Sequence, residues 1–412
     1  MTVLLIPLCL SAAQQGYYYT FASILALQVF FELGMGQVIV QIVAHEAAHL
    51  HQSQDGQYVG AQESLARLGA LRRLLRRWYG WATALFLACV NVLGWLFFRG
   101  HELPWQEWAG PWFLLVAATA CNLLLSWRIA IIEGFALVKE VGQLRLIQSM
   151  LGYSAMWVVL LTGGGLWVVA IVPLAMAVYS WSWLRRRPAR DVLSPLPVGP
   201  STLNWRTEIL PFQWRIAVSW ISGFFIFQLF APLIFKYHGA AEAGRVGLGI
   251  TVFNSVVTVS TSWVAAKVPV FARLLAHGQR VEASLLFHRL TIASLMFACL
   301  SASALIGIAY ALHHFNLPMA SRLPTVPVLM CLAAAAIGNA FILPAAMFMR
   351  AHKQEPMLAP TVAMAITTGI AVYMTAPLGT AWVVGSYSLL VWVIVVPPTV
   401  WLLMSRYYRT KP

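Results

Sequence analysis

Apolar segments long enough to cross a lipid bilayer recur along the whole of this 412-residue chain. A transmembrane helix needs about 20 predominantly apolar residues, and the hydrocarbon core offers no partner to an open strand edge. Segments of this length can satisfy their backbone hydrogen bonds only as helices, so the sequence predicts an all-α fold, a polytopic bundle of transmembrane helices. The eleven predicted spans are 17–44, 80–98, 111–133, 147–163, 164–184, 211–235, 246–271, 289–311, 324–349, 356–376 and 379–404.

A shorter apolar stretch, 3–13, precedes the first predicted span and carries Pro7 between an isoleucine and a leucine. A similar run surrounds Pro232, but there a full span of apolar residues precedes the proline. If the two prolines mark equivalent points in two six-helix halves, the first helix is truncated. We therefore predict about 12 helices in two lobes. The predicted divisions are an N-terminal six-helix lobe over 1–184, a cytoplasmic linker over 185–210 and a C-terminal six-helix lobe over 211–412.

Basic residues gather in every second gap between the predicted spans. Six such gaps hold 20 of the 27 Lys and Arg residues. Because cytoplasmic loops of inner-membrane proteins are enriched in Lys and Arg, the alternation predicts a multi-pass protein of the bacterial inner membrane with both termini in the cytoplasm. The basic gaps are 45–79, 134–146, 185–210, 272–289, 350–355 and 405–412.

A formal net charge of +14 raises nucleic acid as a partner, because clustered Lys and Arg release counterions from phosphates. A mean hydropathy of +0.75 and the placement of the charge in alternate gaps explain the excess without nucleic acid. We predict anionic membrane lipids as partners and no nucleic acid. Within 61–78, leucines at helical spacing are surrounded by arginines, which predicts an amphipathic helix lying on the cytoplasmic membrane surface.

The motif His45-Glu46-Ala47-Ala48-His49 matches the zinc-metalloprotease pattern, in which two histidines bind the metal and the glutamate activates a water. A catalytic zinc also needs a third protein ligand. Glu32, the one clear acid in the middle of a predicted span, lies about 20 Å away on the same helix. We therefore predict a metal-free helix end and no metal cofactor, with an intramembrane zinc protease as the alternative.

Glu32 lies near the middle of the span 17–44, beside Gly34 and Gly36. A carboxylate at mid-bilayer costs a few kcal/mol or more, so such residues usually face a cavity, pair with a cation or carry a proton. The alternative is a protonated side chain that is hydrogen-bonded between closely approaching helices. We expect a functional role for Glu32.

Three further charges, Arg128, Arg215 and Lys267, lie inside predicted spans near their cytoplasmic ends. Snorkelling towards the headgroups would satisfy each of them. If they share a cavity instead, the cavity is cationic and suits a phosphate-bearing headgroup, which guanidinium groups hold by bidentate hydrogen bonds. Trp127 and Trp214 directly precede the two arginines, and their aromatic faces suit sugars as well as the membrane interface.

Several stretches resemble Wzx-type O-antigen flippases of the polysaccharide transporter family, in the multidrug/oligosaccharidyl-lipid/polysaccharide exporter superfamily. The resemblance covers most of the chain, and the short first helix departs from the family pattern. The similar stretches are 16–21 through 30–37, 132–134 with 144–148, and 211–217 through 228–230.

The resemblance implies two six-helix lobes around a central cavity that opens alternately to the cytoplasm and the periplasm. The implied activity is transport, without enzymatic chemistry: a polyprenyl-diphosphate-linked oligosaccharide, an O-antigen or capsule or exopolysaccharide unit, is flipped between leaflets with proton or sodium coupling. A glycan polymerase and a chain-length regulator are the implied protein partners. The nearest alternative is a multidrug or cation exporter of the same superfamily. The residues expected to act on the substrate are Glu32, Arg128, Arg215, Lys267, Trp127 and Trp214.

Overall fold

The computed structural model describes residues 1–53, 58–186, 188–194, 204–352 and 356–408. Most of these residues are helical, which confirms the all-α fold. Among them, nine helices are long and apolar enough to cross a membrane, or up to ten if the bent pair Ala12–Glu32 and Met35–Ala47 is one span. The chain is a multi-pass membrane protein.

The first part of the chain contains nine α-helices, two short 3-10 helices and a short antiparallel hairpin within the described residues. In the hairpin, Leu50 pairs with Gly60 and Gln52 with Tyr58. The elements are α1 (Thr2–Cys9), α2 (Ala12–Leu25), α3 (Val29–Glu32), α4 (Met35–Ala47), β1 (Leu50–Gln52), β2 (Tyr58–Gly60), α5 (Gln62–Phe98), α6 (Trp105–Gly134), α7 (Val138–Leu161), α8 (Val168–Leu184) and α9 (Ala189–Val192).

The rest of the described chain is helical and contains no strand. Short π-helical segments occur at Trp205–Ile209, Val391–Val395 and Leu403–Tyr408. The α-helices are α10 (Leu210–Phe227), α11 (Phe230–Ala276), α12 (Arg280–His314), α13 (Val326–Ala351), α14 (Leu358–Thr375), α15 (Thr380–Leu390) and α16 (Val396–Leu402).

The eleven predicted spans exceed the nine or ten of the structure because two of them fall in one helical run, Gln213–Ala276. This run has 64 residues. At 1.5 Å per residue it would be about 96 Å long if straight, roughly three times the thickness of the hydrocarbon core. The backbone is non-helical at Gly239, with φ 84° and ψ 172°. Gly239 lies between the predicted spans 211–235 and 246–271, so the run holds a break where the sequence predicts a loop.

The chain forms two compact units whose bounds differ from the predicted lobes. The first unit comprises Met1, Val3–Ser23 and Ser222–Pro412, and the second comprises Thr2 and Ile24–Ile221. The predicted linker 185–210 is only partly visible, since 187 and 195–203 lie outside the described residues. The predicted basic segments 350–355 and 405–412 likewise extend beyond them, at 353–355 and 409–412.

Close packing of α2 on α11 explains why the N-terminal residues group with the second half. A Cβ at Gly16 would lie 1.8 Å from the carbonyl oxygen of Ala240, so the two backbones touch directly. The Gln15 side chain donates from Nε2 to the carbonyl of Gly244 at 2.9 Å. Small residues and amide hydrogen bonds of this kind hold helices together in membranes.

The predicted surface helix over 61–78 is wrong as a separate element. The segment is the start of α5, a continuous helix of 37 residues that runs on into a membrane span. Its leucine stripe is buried within the protein, with Leu68 and Leu71 each 2% exposed and Leu75 fully buried. The sequence pattern records an apolar stripe, but it does not reveal that neighbouring helices rather than lipid cover it.

Candidate functional site

The helix that carries Glu32 is broken next to that residue. α3 ends at Glu32, α4 begins at Met35, and the two parts of the span are bent by 41°. Leu33 and Gly34 both have left-handed backbone angles, with φ 51° and 67°. A left-handed leucine costs about 1–2 kcal/mol, and strain of this kind often marks a functional site.

Glycines make room for the break and for the carboxylate. Gly34 lies against α10, where a Cβ would be 2.3 Å from Ile216 Cγ2. At Gly36 the nearest atom to a Cβ would be Glu32 Oε1, at 3.4 Å. Gln28 precedes Glu32 by one turn, and both residues line one cavity. The break therefore places a carboxylate between a glycine and an amide in the middle of a span.

A cavity of about 700 Å³ lies within the unit 24–221, and Glu32 is one of its lining residues. Most of the side chains that line it are polar although the helices around it are apolar. Broken helices commonly surround substrate sites in membrane transporters, because the unwound backbone is tolerated only beside a cavity. The polar and aromatic lining residues are Gln28, Glu32, Gln37, Gln41, Asn122, Ser126, Glu133, Arg145, Gln148, Ser180 and Trp220.

Two of the lining amides, one on α6 and one on α7, hydrogen-bond to α8. The buried Gln148 donates from Nε2 to Ser180 Oγ at 2.5 Å and to the Met176 carbonyl at 3.1 Å. Asn122 donates to the Pro173 carbonyl at 2.7 Å. The NH2 groups of these two amides are hydrogen-bonded to α8, so they hold the wall of the cavity together.

Two other lining amides are available to a ligand. Gln37 and Gln41 lie one turn apart on α4 and are exposed, and their side chains make no hydrogen bond with the part of the chain that the structure describes. Trp220, also on the lining, is 39% exposed. The cavity therefore offers amide donors and acceptors together with an aromatic ring.

The cavity lining contains one cation, and that cation is paired. Arg145 of α7 donates from Nη2 to Glu133 Oε2 of α6 at 2.6 Å. Arg145 keeps 62% of its side chain exposed, against 23% for Glu133. The pair is neutral overall, so Glu32 is the one ionisable lining residue that forms no ion pair with the described residues.

Arg128 and Trp127 are not among the lining residues of this cavity. The Arg128 guanidinium lies 4.6 Å above the Trp127 ring and donates to the Leu124 carbonyl of its own helix. Trp127 is buried, with 6% of its surface exposed. The guanidinium therefore has contacts on its own helix, and its position relative to the headgroups stays a prediction.

Arg215 and Trp214 also lie outside the lining of this cavity, and both are exposed. The Arg215 guanidinium is 5.7 Å from the Trp214 ring centroid. Lys267 is an exposed residue of α11, in the other compact unit. A cavity shared by the three cations stays a prediction, and of the six predicted site residues only Glu32 lines the cavity described above.

The motif His45 to His49 is built differently from a metalloprotease site. Glu46 is buried and accepts a hydrogen bond from Arg67 Nε at 2.8 Å, so an ion pair occupies the carboxylate that would have to activate water. The two histidine rings are exposed, with centroids 6.0 Å apart. No group of three or more His, Cys, Asp and Glu residues that could hold a metal ion occurs in the described residues.

Arg67 joins three segments at this end of the unit. Its second ion pair is to Glu208, at 2.5 Å, in the segment that leads into α10. Trp78 of α5 and Trp205 of the same segment also stack, with ring centroids 5.5 Å apart. The Asn204 N–H and the Arg67 guanidinium both hydrogen-bond the Glu208 carboxylate and so lower its pKa. The described end of the predicted linker is therefore fixed to α5.

The lining residues that the sequence interpretation missed are mostly uncharged. Charge marks Glu32 within its span, whereas Gln37, Gln41 and Gln148 carry no charge that would distinguish them. A usable signal was present: Gln28, Glu32 and Gly36 follow one another at four-residue spacing, and Gln37 and Gln41 repeat it. Polar residues at helical spacing inside an apolar span indicate a helix face turned towards a cavity.

No protein-family model and no curated protein matches the sequence. Solved structures match the fold over the whole chain. An inward-facing multidrug resistance transporter of the MATE family, in the MOP superfamily, is 14% identical and has a TM-score of 0.61, with 100% of this chain and 99% of that chain covered. The lipid II flippase MurJ, in an inward closed conformation, is 11% identical at a TM-score of 0.64, with 100% and 86% covered.

A third similar structure is a MOP superfamily transporter from Pyrococcus furiosus. It is 15% identical at a TM-score of 0.54, with 99% of this chain and 92% of that chain covered. The chain therefore has the fold of MOP superfamily transporters, the superfamily to which the sequence resemblance points.

Proposed function

We propose that this chain is a transporter that flips a polyprenyl-diphosphate-linked oligosaccharide from the cytoplasmic to the periplasmic leaflet of the inner membrane by alternating access. An O-antigen unit or a capsule or exopolysaccharide unit is the cargo. Both termini lie in the cytoplasm, and a glycan polymerase with its chain-length regulator receives the product. The likeness to a lipid II flippase and to MATE transporters supports a transport role.

The amide-rich cavity carries this proposal. Sugar hydroxyls both donate and accept hydrogen bonds, and amide side chains offer both functions in one group. Gln37 and Gln41 are free to bind, and Trp220 provides a face on which a sugar ring can pack. A volume of about 700 Å³ lies within the usual range for small-ligand sites and suits one or a few sugar residues.

Glu32 is proposed to couple the cycle to a proton or sodium gradient. It lines the cavity at a break in its helix and forms no ion pair with the described residues. Binding or release of a cation there changes the charge of the cavity, which alters the affinity for an anionic diphosphate. The cations Arg128, Arg215 and Lys267 stay candidates for holding that diphosphate, with Trp127 and Trp214 beside the two arginines.

The test is delivery of lipid-linked glycan to the periplasm in cells that lack their own flippase. We expect the chain to restore delivery and the double variant Gln37→Leu/Gln41→Leu to reduce it strongly at equal membrane levels. Gln106→Leu, which changes an exposed amide outside the cavity, is the matched control and should transport normally. Restored delivery by the double variant at the level of the unaltered protein would refute a glycan-binding role for these amides.

A second candidate function is multidrug or cation export, the alternative that the sequence resemblance implies, and a MATE family multidrug resistance transporter has the same fold. The observation that favours it is the Glu32 carboxyl, which no described residue pairs, in a cavity whose other two charges cancel. Expression in cells without their own drug exporters tests it. Resistance to cationic dyes that Glu32→Gln abolishes, together with no glycan delivery, would favour export over the proposed flippase activity.

A further inference from the structure

One face of α5 changes from cationic to apolar within one turn. Arg73, Arg77 and Trp81 follow one another at four-residue spacing and are all exposed, Trp81 to 79% of its surface. Arg76 is exposed beside them. Beyond Trp81 the same face continues without charge for the rest of the helix. The exposed apolar residues that continue it are Ala84, Leu85, Ala88, Val92 and Leu96.

The five arginines at the start of α5 divide into two groups. Arg67 pairs with carboxylates, and Arg72 donates to the backbone carbonyls of Val192 and Ser194. The side chains of Arg73, Arg76 and Arg77 make no hydrogen bond or ion pair with the described residues. Two of the arginines therefore bind protein groups, while the other three guanidinium groups can bind a ligand.

The spacing of these groups matches a phospholipid at a membrane surface. Arg73 and Arg77 are separated by about 6 Å along the helix axis, which lets both reach one phosphate. Guanidinium groups bind phosphate oxygens by bidentate hydrogen bonds. Tryptophan prefers the boundary between headgroups and hydrocarbon, so Trp81 marks that boundary on α5. The apolar face beyond it runs parallel to acyl chains.

We propose that Arg73, Arg76, Arg77 and Trp81 form a binding site for an anionic phospholipid. The phosphate lies among the three guanidinium groups, and the acyl chains lie along the exposed apolar face of α5. Charge complementarity selects a headgroup with a net negative charge over a zwitterionic one. The apolar continuation selects a lipid over a soluble phosphate. None of these four residues lines the 700 Å³ cavity, so this site is separate from the one proposed for cargo.

Native mass spectrometry of the full-length protein tests the proposal. The protein is released from detergent micelles that contain phosphatidylglycerol and phosphatidylcholine in equal amounts. We expect the unaltered protein to retain phosphatidylglycerol preferentially. In the triple variant Arg73→Gln/Arg76→Gln/Arg77→Gln, the preference should fall by roughly fivefold for each arginine removed.

The control variant is Arg273→Gln/Arg280→Gln/Arg289→Gln. It removes the same charge from three exposed arginines of the other unit, and it should keep the preference for phosphatidylglycerol. Trp81→Ala retains the charges and should weaken retention of phosphatidylglycerol. If the triple variant does not elute as folded protein in size exclusion, the single variant Arg77→Gln provides the test at roughly fivefold.

Two results would overturn the site. One is an unchanged lipid preference in the Arg73, Arg76 and Arg77 variants. An equal loss in the control variant counts against the site in the same way, because it would show that total charge sets the preference. The other is loss of glycan delivery in the triple variant while phosphatidylglycerol retention is intact. That outcome would assign the arginines to the phosphate of the transported lipid.

Discussion

Gly34 and Ile216 are packed so closely that one added carbon at Gly34 would come within 2.3 Å of Ile216 Cγ2. Gly34 also has φ 67°, a conformation that residues with a Cβ adopt only at a cost. The break beside Glu32 therefore depends on glycine through both backbone conformation and contact with α10.

Gly34→Ala should destabilise the protein by about 2–4 kcal/mol, the sum of the left-handed backbone cost and of overpacking. Thermal unfolding in detergent measures the change. Gly142→Ala is the control, because among the described residues no atom outside its own stretch of helix lies within 4 Å of a Cβ at that position. Equal melting temperatures for the two variants would show that the break tolerates a side chain.

Glu32→Gln should preserve folding, because the amide keeps the volume of the side chain and most of its hydrogen bonds. Transport should fall roughly tenfold or more, since an amide cannot exchange a proton or bind a cation by charge, and each 1.4 kcal/mol of lost interaction is a factor of ten. Glycan delivery in flippase-deficient cells is the measurement, with membrane levels quantified. Full delivery at equal expression would reduce Glu32 to a packing residue.

Arg67→Ala should destabilise the protein by about 1–3 kcal/mol, because it leaves the buried Glu46 carboxylate without its ionic partner. Adding Glu46→Gln should restore part of the loss, since the unpaired buried charge is then absent. Thermal unfolding of both single variants and the double variant completes a mutant cycle. Strict additivity of the two changes would argue against the ion pair as a stabilising contact.

The lowered pKa of Glu208 predicts a dependence of stability on pH. The stabilising contribution is fully present above the ordinary glutamate pKa of about 4.3 and is lost as the pH falls through the lower pKa of the folded state. Melting temperature between neutral pH and pH of about 3 should therefore fall less steeply in Glu208→Gln than in the unaltered protein. Glu63→Gln, an exposed residue of α5, should leave the slope unchanged.

Zinc should bind below one ion per chain, because Arg67 occupies Glu46 and His45 and His49 have no third ligand in the described residues. Elemental analysis of the purified protein after incubation with zinc measures the stoichiometry. His45→Ala should give the same value as the unaltered protein. Stoichiometric zinc that disappears in this variant would reinstate the metal site.

Hydropathy alone was enough to predict the all-α membrane fold. An apolar segment long enough to span the bilayer can satisfy its backbone hydrogen bonds there only as a helix. Hydropathy could not predict the position of 3–23, which packs with the distant residues around Gly244. Apolar helices are similar in composition, so the choice of neighbour depends on surface fit at glycines such as Gly16, which a pattern of hydrophobicity does not record.

The candidate site was predictable only where an ionisable residue lies in the middle of an apolar span, as at Glu32. The amides Gln37 and Gln41 cost less to place in a span, so they give a weaker signal than a carboxylate. Arg128 shows the opposite difficulty, because a long cation near a helix end can satisfy itself on its own helix. Sequence position gives the depth of a side chain, while its partner depends on the packing of the helices.

The hydrogen bond from Gln15 to Gly244 joins residues 229 positions apart and so constrains the order of assembly during synthesis. At translation rates of about 5 to 20 residues per second, Gly244 follows Gln15 by about 10 to 50 s. Throughout that interval α2 has neither the carbonyl that its amide binds nor the glycine surface against which it packs. During synthesis the N-terminal helices must therefore have neighbours other than their final ones. They reach their final position only after more than half of the chain has been made.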